Sequence, residues 1–157
     1  MPTLDVSSPA VAIFSAIVLG FVTGAIPIGI AEATAVAIGF VTPPWLAAAM
    51  WAAFTLSHVA AKLPWYWIGS RADHFKTPWL VRHVQRAKSL LARHPSYGAG
   101  LLMFSATLSV PPFHFSAIAA GISRLPLARF TVICVIGRAV RFGILVTAPG
   151  LLRHWFG

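Results

Sequence analysis

Several ionisable side chains lie inside long apolar stretches of this sequence, where charges are rare. Glu32 is the one acid in any apolar stretch, and Lys62, His114, Arg138 and Arg141 are basic or ionisable groups in the others. A charge at the centre of a bilayer costs roughly 2.5–3.5 kcal/mol on insertion scales, so such residues normally face a cavity or a partner. We therefore take these residues as candidate transport or substrate-binding groups.

Two interpretations of Glu32 are open. It is a protonatable or cation-pairing group on a transport path, or it forms a structural ion pair that stabilises the local fold. Lys62 is the partner that the sequence favours, because it has the opposite charge and lies deep in an apolar stretch. His58 precedes Lys62 by four residues, which predicts that both share one helix face. His58 is a candidate proton relay, with a hydrogen bond to a helix carbonyl as the alternative.

Arg138 and Arg141 are three residues apart, so a helix would present both on one face. A planar guanidinium can bind phosphate through two parallel hydrogen bonds. Two such groups facing a crevice in the membrane would suit a lipid phosphate. The alternative is that they pair with backbone carbonyls at helix breaks and extend their charged ends toward water.

The composition indicates that lipid surrounds most of the chain. Of 157 residues, 58% are hydrophobic and 10% are charged, and the mean hydropathy is +0.81. Soluble domains carry about 25% charged residues. We expect one integral membrane domain over 1–157. The chain has a single cysteine, Cys134, which excludes an intramolecular disulfide. A signal peptide begins with basic residues, but no Lys or Arg precedes the first apolar stretch here, so we expect that stretch to belong to the membrane domain.

Four apolar blocks span 10–42, 44–69, 98–123 and 126–152. A spanning helix needs about 20 residues, so the second and fourth blocks are long enough to cross a bilayer. The first block is interrupted at Pro27 and the third at Pro111 and Pro112, where proline disfavours helix. Broken helices at membrane depth need protein or a watery cavity to satisfy the freed backbone groups. The predicted fold is all-α, with two re-entrant helical hairpins and two transmembrane helices.

The two halves of the sequence resemble each other. Each has a broken apolar block, then a glycine (Gly39, Gly121), a proline (Pro43, Pro126) and a long helical block. A re-entrant hairpin begins and ends on the same side of the membrane, and one span then crosses it. A second hairpin and span would therefore have the opposite orientation in the membrane. This predicts an inverted repeat, which is common in secondary transporters.

The connector at 71–95 is basic and amphipathic. Arg82, Arg86 and Arg93 lie along one face of its predicted helix, opposite apolar residues. Such a helix binds anionic lipid in the headgroup plane, or it is a solvated connector that fixes topology. Half of the positive charge of this chain, whose net charge is +9, lies here. That distribution fits a cytoplasmic loop better than nucleic-acid binding.

Enzyme signatures are missing from the sequence. It has no HExxH, no GxSxG, no P-loop and no Cys/His spacing typical of metal sites. We therefore expect no enzymatic activity, no cofactor and no metal.

Three segments resemble one family. Residues 62–71 (KLPWYWIGSR), 119–130 (AAGISRLPLARF) and 137–142 (GRAVRF) are similar to motifs of the DedA/VTT-domain membrane proteins, the last to the short YqaA-like branch. With the Glu32 block, the resemblance covers about residues 20–145. It implies two opposed re-entrant hairpins that meet in mid-membrane, and the movement of phospholipids or polyprenyl-phosphate carriers between leaflets.

The sequence departs from the family pattern at three positions. Better-known bacterial members have an acid where Lys62 stands, and arginines where Leu108 and His114 stand. These departures bear on proton coupling and on the identity of the cargo, both of which stay open.

The resulting hypothesis is a lipid flippase or scramblase of a bacterial inner membrane. Its partners would be membrane lipids, bound through an anionic headgroup or lipid phosphate; whether it forms a homo-oligomer is left open. The alternative is a structural or assembly protein of the membrane whose charges only hold the hairpins together.

Overall fold

Most of the residues that the structure describes are helical. This computed structural model describes residues 8–26, 30–72, 95–109 and 112–156, and no strand occurs among them. The helices are α1 (Pro9–Ala25), α2 (Ile30–Val41), α3 (Pro44–Ala60), α4 (Leu63–Ser70), α5 (Pro95–Leu108), α6 (Phe113–Ile122) and α7 (Leu127–Phe156). The connector with Arg82, Arg86 and Arg93 lies outside the described residues.

Two helical stretches are long and apolar enough to cross a membrane. They are Pro44–Ser70, which comprises α3 and α4, and Leu127–Leu151 within α7. Three shorter apolar helices, α1, α2 and α6, are too short to do so comfortably. The all-helical fold with two apolar spans agrees with the predicted class.

Both interrupted blocks contain two separate helices. In the first block, α1 ends at Ala25 and α2 begins at Ile30. In the third block, α5 ends at Leu108 and α6 begins at Phe113, with Pro112 as its N-cap. Pro27 and Pro111 themselves lie outside the described residues.

The stretch Pro44–Ser70 is not one continuous helix, contrary to the sequence analysis. Helix α3 ends at Ala60, and Lys62 is the N-cap residue of α4. Pro64 explains the interruption, because it has no N–H to donate to the carbonyl of residue 60. Because Lys62 lies at this break, its position on the same helix face as His58 stays a prediction.

The described chain forms two compact units, which we treat separately. Unit 1 contains 1–61 and 138–157, and unit 2 contains 62–137. In unit 1, α1 lies directly against α3 at Gly20, where an added Cβ would come within 2.5 Å of the Phe54 carbonyl oxygen. Small residues at such contacts let helix backbones approach closely in membrane proteins. Buried side chains such as Ala16, Phe54 and Phe142 form the core there.

In unit 2, α4 packs against α6 with similar closeness. A Cβ added at Gly121 would lie 2.7 Å from the Ser70 nitrogen and would also collide with the Tyr66 carbonyl oxygen. The Tyr66 hydroxyl donates to the Leu125 carbonyl at 2.7 Å, and its ring packs on that of Phe130 at a centroid distance of 4.9 Å. Tyr66 thus joins α4 to the segment between α6 and α7.

Gly121→Ala should destabilise the protein by about 1–3 kcal/mol, because the new methyl group forces backbone apart in a tightly packed contact. The matched control is Gly100→Ala in α5, where an added Cβ meets no atom within 4 Å. That control should be neutral or stabilising by up to about 1 kcal/mol, since alanine is the better helix former. Thermal unfolding of the purified proteins in detergent compares the two, and equal midpoints would contradict the close contact.

Candidate functional site

The first candidate site is an ion-pair cluster in unit 1. The Arg141 guanidinium approaches Glu32 Oε1 with Nη2 at 3.0 Å and donates to the same oxygen from Nε at 3.2 Å. Arg138 Nη1 lies 3.9 Å from that oxygen. Both arginines therefore converge on one carboxylate oxygen. We call Glu32, Arg138 and Arg141 the arginine cluster.

The arginine cluster is buried at one side and partly open at the other. The Arg138 side chain is 4% exposed, whereas those of Arg141 and Glu32 are 22% and 29% exposed. Two guanidinium groups face one carboxylate in this cluster. A partly open pair of guanidinium groups among apolar helices favours an anion as ligand.

Local structure accounts for the placement of each member. Glu32 lies in the first turn of α2, where the helix dipole favours a negative charge. Arg138 and Arg141 are one turn apart on α7, as their spacing predicts. The Arg138 guanidinium also lies over the Phe142 ring, 5.5 Å from its centroid, which is a cation–π contact.

His58 belongs to an aromatic group beside this cluster. Its ring is edge-on to Phe142 at 5.2 Å and tilted to Phe54 at 6.0 Å, and Nδ1 lies 3.4 Å from the Thr23 hydroxyl. His58 is 2% exposed. The Phe142 ring thus contacts both His58 and Arg138. The role of His58 as a proton relay stays a prediction.

The second candidate site lies in unit 2. Lys62 Nζ is 2.7 Å from His114 Nε2 and 5.5 Å from the centroid of the Phe113 ring. The Trp65 ring is edge-on to His114 at 5.1 Å. Lys62 is 1% exposed, whereas His114 is only partly buried. An ammonium has three donors and no acceptor, so a charged Lys62 donates to an unprotonated Nε2.

The structure brings the predicted residues together in combinations that the sequence analysis did not choose. Within its own unit Glu32 pairs with Arg141 and Arg138, and Lys62 contacts His114. The expected pair of Glu32 with Lys62 stays a prediction. The arginines are not two uncompensated charges, because a carboxylate far away in the sequence lies against them.

The aromatic side chains that contact the residues of both sites were not among the predicted site residues. Phe142 and Phe113 each lie beneath a cation, and Trp65 packs against His114. Each is adjacent, or nearly so, to a charged residue in the sequence, but aromatic residues are common in every apolar block. That spacing alone could not have distinguished them.

An apolar groove of about 720 Å³ also lies within unit 1. Its lining includes Ala47, Trp51, Gly143 and Thr147, and the Trp51 indole donates to the Ala139 carbonyl at 3.1 Å. At about 100° per residue, the groove-lining residues of α7 lie opposite the face that bears Arg138 and Arg141. The groove is therefore not part of the arginine cluster.

No group of three or more His, Cys, Asp or Glu side chains able to hold a metal occurs in the described ranges. Cys134 is buried in α7 and forms no disulfide.

The sequence matches the model of the VTT domain over residues 26–149. The chain therefore belongs to the VTT-domain family, as the motifs predicted. Together with its two apolar spans, this makes it a DedA-like membrane protein. No curated protein and no solved structure matches the sequence. The assignment to the YqaA-like branch stays a prediction.

Proposed function

We propose that this protein moves phospholipid or polyprenyl-phosphate lipid between the leaflets of a bacterial inner membrane, as a flippase or scramblase. The observation that carries the proposal is the arginine cluster, in which the Arg138 and Arg141 guanidinium groups converge on one partly exposed carboxylate. Such a pair of guanidinium groups can also bind a lipid phosphate. Membership of the VTT-domain family supports the same activity.

The chemistry of the exchange follows from the partly open side of the cluster. Arg141 holds Glu32 through Nε and Nη2, and both atoms belong to the fork that binds a phosphate oxygen. An incoming lipid phosphate competes with the Glu32 carboxylate for this fork. Because one anion replaces another, Arg141 does not lose its charge partner during the exchange, which keeps the barrier low.

The proposal includes an arrangement in the membrane. Helices α1 and α2 form one re-entrant hairpin and α5 and α6 the other, in an inverted repeat, with the 71–95 loop on the cytoplasmic side. The six Lys and Arg residues between Arg71 and Arg93 support that orientation. The protein acts on membrane lipids without enzymatic chemistry and binds no nucleic acid.

The second candidate function is a non-transporting structural or assembly protein. The salt bridge itself favours it, because Arg141 and Arg138 join two helices through Glu32. In that role the arginines need only charge and reach.

Arg141→Lys separates the two functions, because lysine keeps the charge but cannot form the planar fork. We expect lipid transport to fall about tenfold or more, which corresponds to the loss of one charge-assisted hydrogen bond of about 1.5–3 kcal/mol. The measurement is chemical bleaching of fluorescent lipids in reconstituted vesicles, where transport exposes the inner-leaflet label.

Arg153→Lys, near the end of the same helix, is the matched control and should transport at the wild-type rate. Wild-type transport by Arg141→Lys would rule out phosphate binding by the fork. A wild-type protein that bleaches no faster than protein-free vesicles would overturn the transport proposal itself.

A further inference from the structure

Three exposed arginines lie at one end of unit 2. They are Arg71, directly after α4, Arg124, after α6, and Arg129, in the first turn of α7. The Gly121 contact with Ser70 brings the end of α4 to the end of α6. The contacts of Tyr66 with Leu125 and Phe130 bring the start of α7 to the same place. We call Arg71, Arg124 and Arg129 the arginine rim.

The backbone at Arg124 is unfavourable for an arginine. Its φ is 52°, and hydrogen bonds from Arg124 N to Gly121 O and from Leu125 N to Ala120 O close a Schellman motif. Glycine is the usual residue at this left-handed position, because it has no Cβ. Local structure alone therefore favours glycine here, so the arginine must serve through its side chain.

Arg129 also stands where local structure disfavours it. It lies in the first turn of α7, at the positive end of the helix dipole, and that turn contains no acid. Arg71 is different, because it follows the last turn of α4, where a cation is favourable. Its guanidinium stacks on the exposed Trp67 ring at 5.8 Å. The backbone disfavours arginine at residue 124 and the helix dipole disfavours it at residue 129.

The charge balance of unit 2 points to an anion outside the protein. Between residues 62 and 137 the sequence contains one acid, Asp73, which lies outside the described residues. Even with Asp73 counted, three rim arginines leave an excess of two positive charges. Such a concentration of like charge attracts counter-ions, and several exposed arginines fit a surface of many anionic groups.

The rim also lies where both candidate spans end. The span Pro44–Ser70 ends one residue before Arg71, and the span Leu127–Leu151 begins between Arg124 and Arg129. Exposed Trp67 and Leu127 flank the arginines, and aromatic residues beside cations are typical of the membrane–water interface. We propose that the arginine rim docks the headgroups of anionic phospholipids at the bilayer surface, a contact separate from the transport site.

The test is lipid-dependent stabilisation of the full chain. Phosphatidylglycerol is added to the protein in an uncharged detergent at low salt, and the midpoint of thermal unfolding is recorded at each concentration. Phosphatidylcholine and inorganic phosphate are titrated in parallel. The variants are Arg124→Gly and Arg129→Gln. The control is Arg153→Gln, which removes the same charge near the other end of α7.

Phosphatidylglycerol should raise the wild-type midpoint more than phosphatidylcholine does. Each rim variant should weaken the apparent affinity for phosphatidylglycerol about fivefold, the effect of about 1 kcal/mol per basic residue near a charged membrane surface. Arg153→Gln should leave that affinity unchanged.

Three results would overturn the proposal. The first is an unchanged affinity for phosphatidylglycerol in both rim variants, which would place the lipid effect at the arginine cluster or elsewhere. The second is an equal loss of affinity for phosphatidylglycerol in Arg153→Gln, which would mean that only the net charge of the protein matters. The third is a rim-dependent shift with inorganic phosphate as large as with phosphatidylglycerol, which would indicate a site for free phosphate.

Discussion

Glu32→Gln should lower the free energy of unfolding by about 3 kcal/mol, at the lower end of the cost of breaking a buried ion pair. The cost is at the lower end because the Glu32 side chain is 29% exposed. There is still a cost because the Arg138 side chain, which is 4% exposed, loses the nearby carboxylate while its own charge stays buried. The single variant raises the formal charge of the arginine cluster from +1 to +2. Denaturant unfolding of the detergent-solubilised protein measures the loss.

The double variant Glu32→Gln/Arg141→Gln should recover at least about 1 kcal/mol relative to the sum of the two single variants. It restores the formal charge of +1 and leaves two neutral amides that can bond each other. Strictly additive losses would mean that Glu32 and Arg141 do not interact. A parallel cycle of Glu32→Gln with Lys62→Met tests the pair that the sequence favoured.

The Lys62–His114 contact should give an asymmetric result. His114→Leu should destabilise the protein by about 1.5–3 kcal/mol, because it removes a hydrogen-bond acceptor from a lysine that is 1% exposed. Lys62→Met should cost less, since the remaining His114 is only partly buried and methionine fills much of the space of the lysine stem. Denaturant unfolding midpoints compare the two variants.

His114→Gln is the control for shape, because its amide can still accept a hydrogen bond from Lys62. It should be more stable than His114→Leu. Equal unfolding midpoints for His114→Leu, His114→Gln and Lys62→Met would contradict a structural role for the Lys62–His114 contact. A greater loss in Lys62→Met than in His114→Leu would mean that the packing of the lysine stem outweighs its buried charge.

The sequence predicted the helical class well, and the reason is local. Proline removes a donor and restricts the preceding residue, so α1 ends at Ala25, before Pro27, and α6 begins directly after Pro112. The same rule, applied to Pro64, would have placed the end of α3 near Ala60. The apolar block 44–69 continues across Pro64, so hydrophobicity alone does not reveal the break between α3 and α4.

The partners of the charged residues could not be predicted in the same way. Arg141 lies 109 residues after Glu32 in the sequence, and their contact depends on how α2 packs against α7. A backbone approach such as that of Gly39 to the Val146 carbonyl sets this packing. Glycines occur in all four apolar blocks of this chain, so the sequence does not reveal which of them lie at a close backbone contact. Charge and depth selected the candidate residues, but only the tertiary structure pairs them.

Lipid transport by Glu32→Gln/Arg141→Gln tests the central claim most directly, because this variant separates the transport role of the arginine cluster from its structural role. Transport is measured only on protein whose unfolding midpoint lies above the assay temperature, so a loss of transport cannot come from unfolding. We predict that the bleaching of fluorescent lipid in vesicles containing the folded double variant is no faster than in protein-free vesicles, while the wild-type protein exposes the inner-leaflet label. Transport at the wild-type rate would contradict the account and would make the arginine cluster a purely structural ion pair.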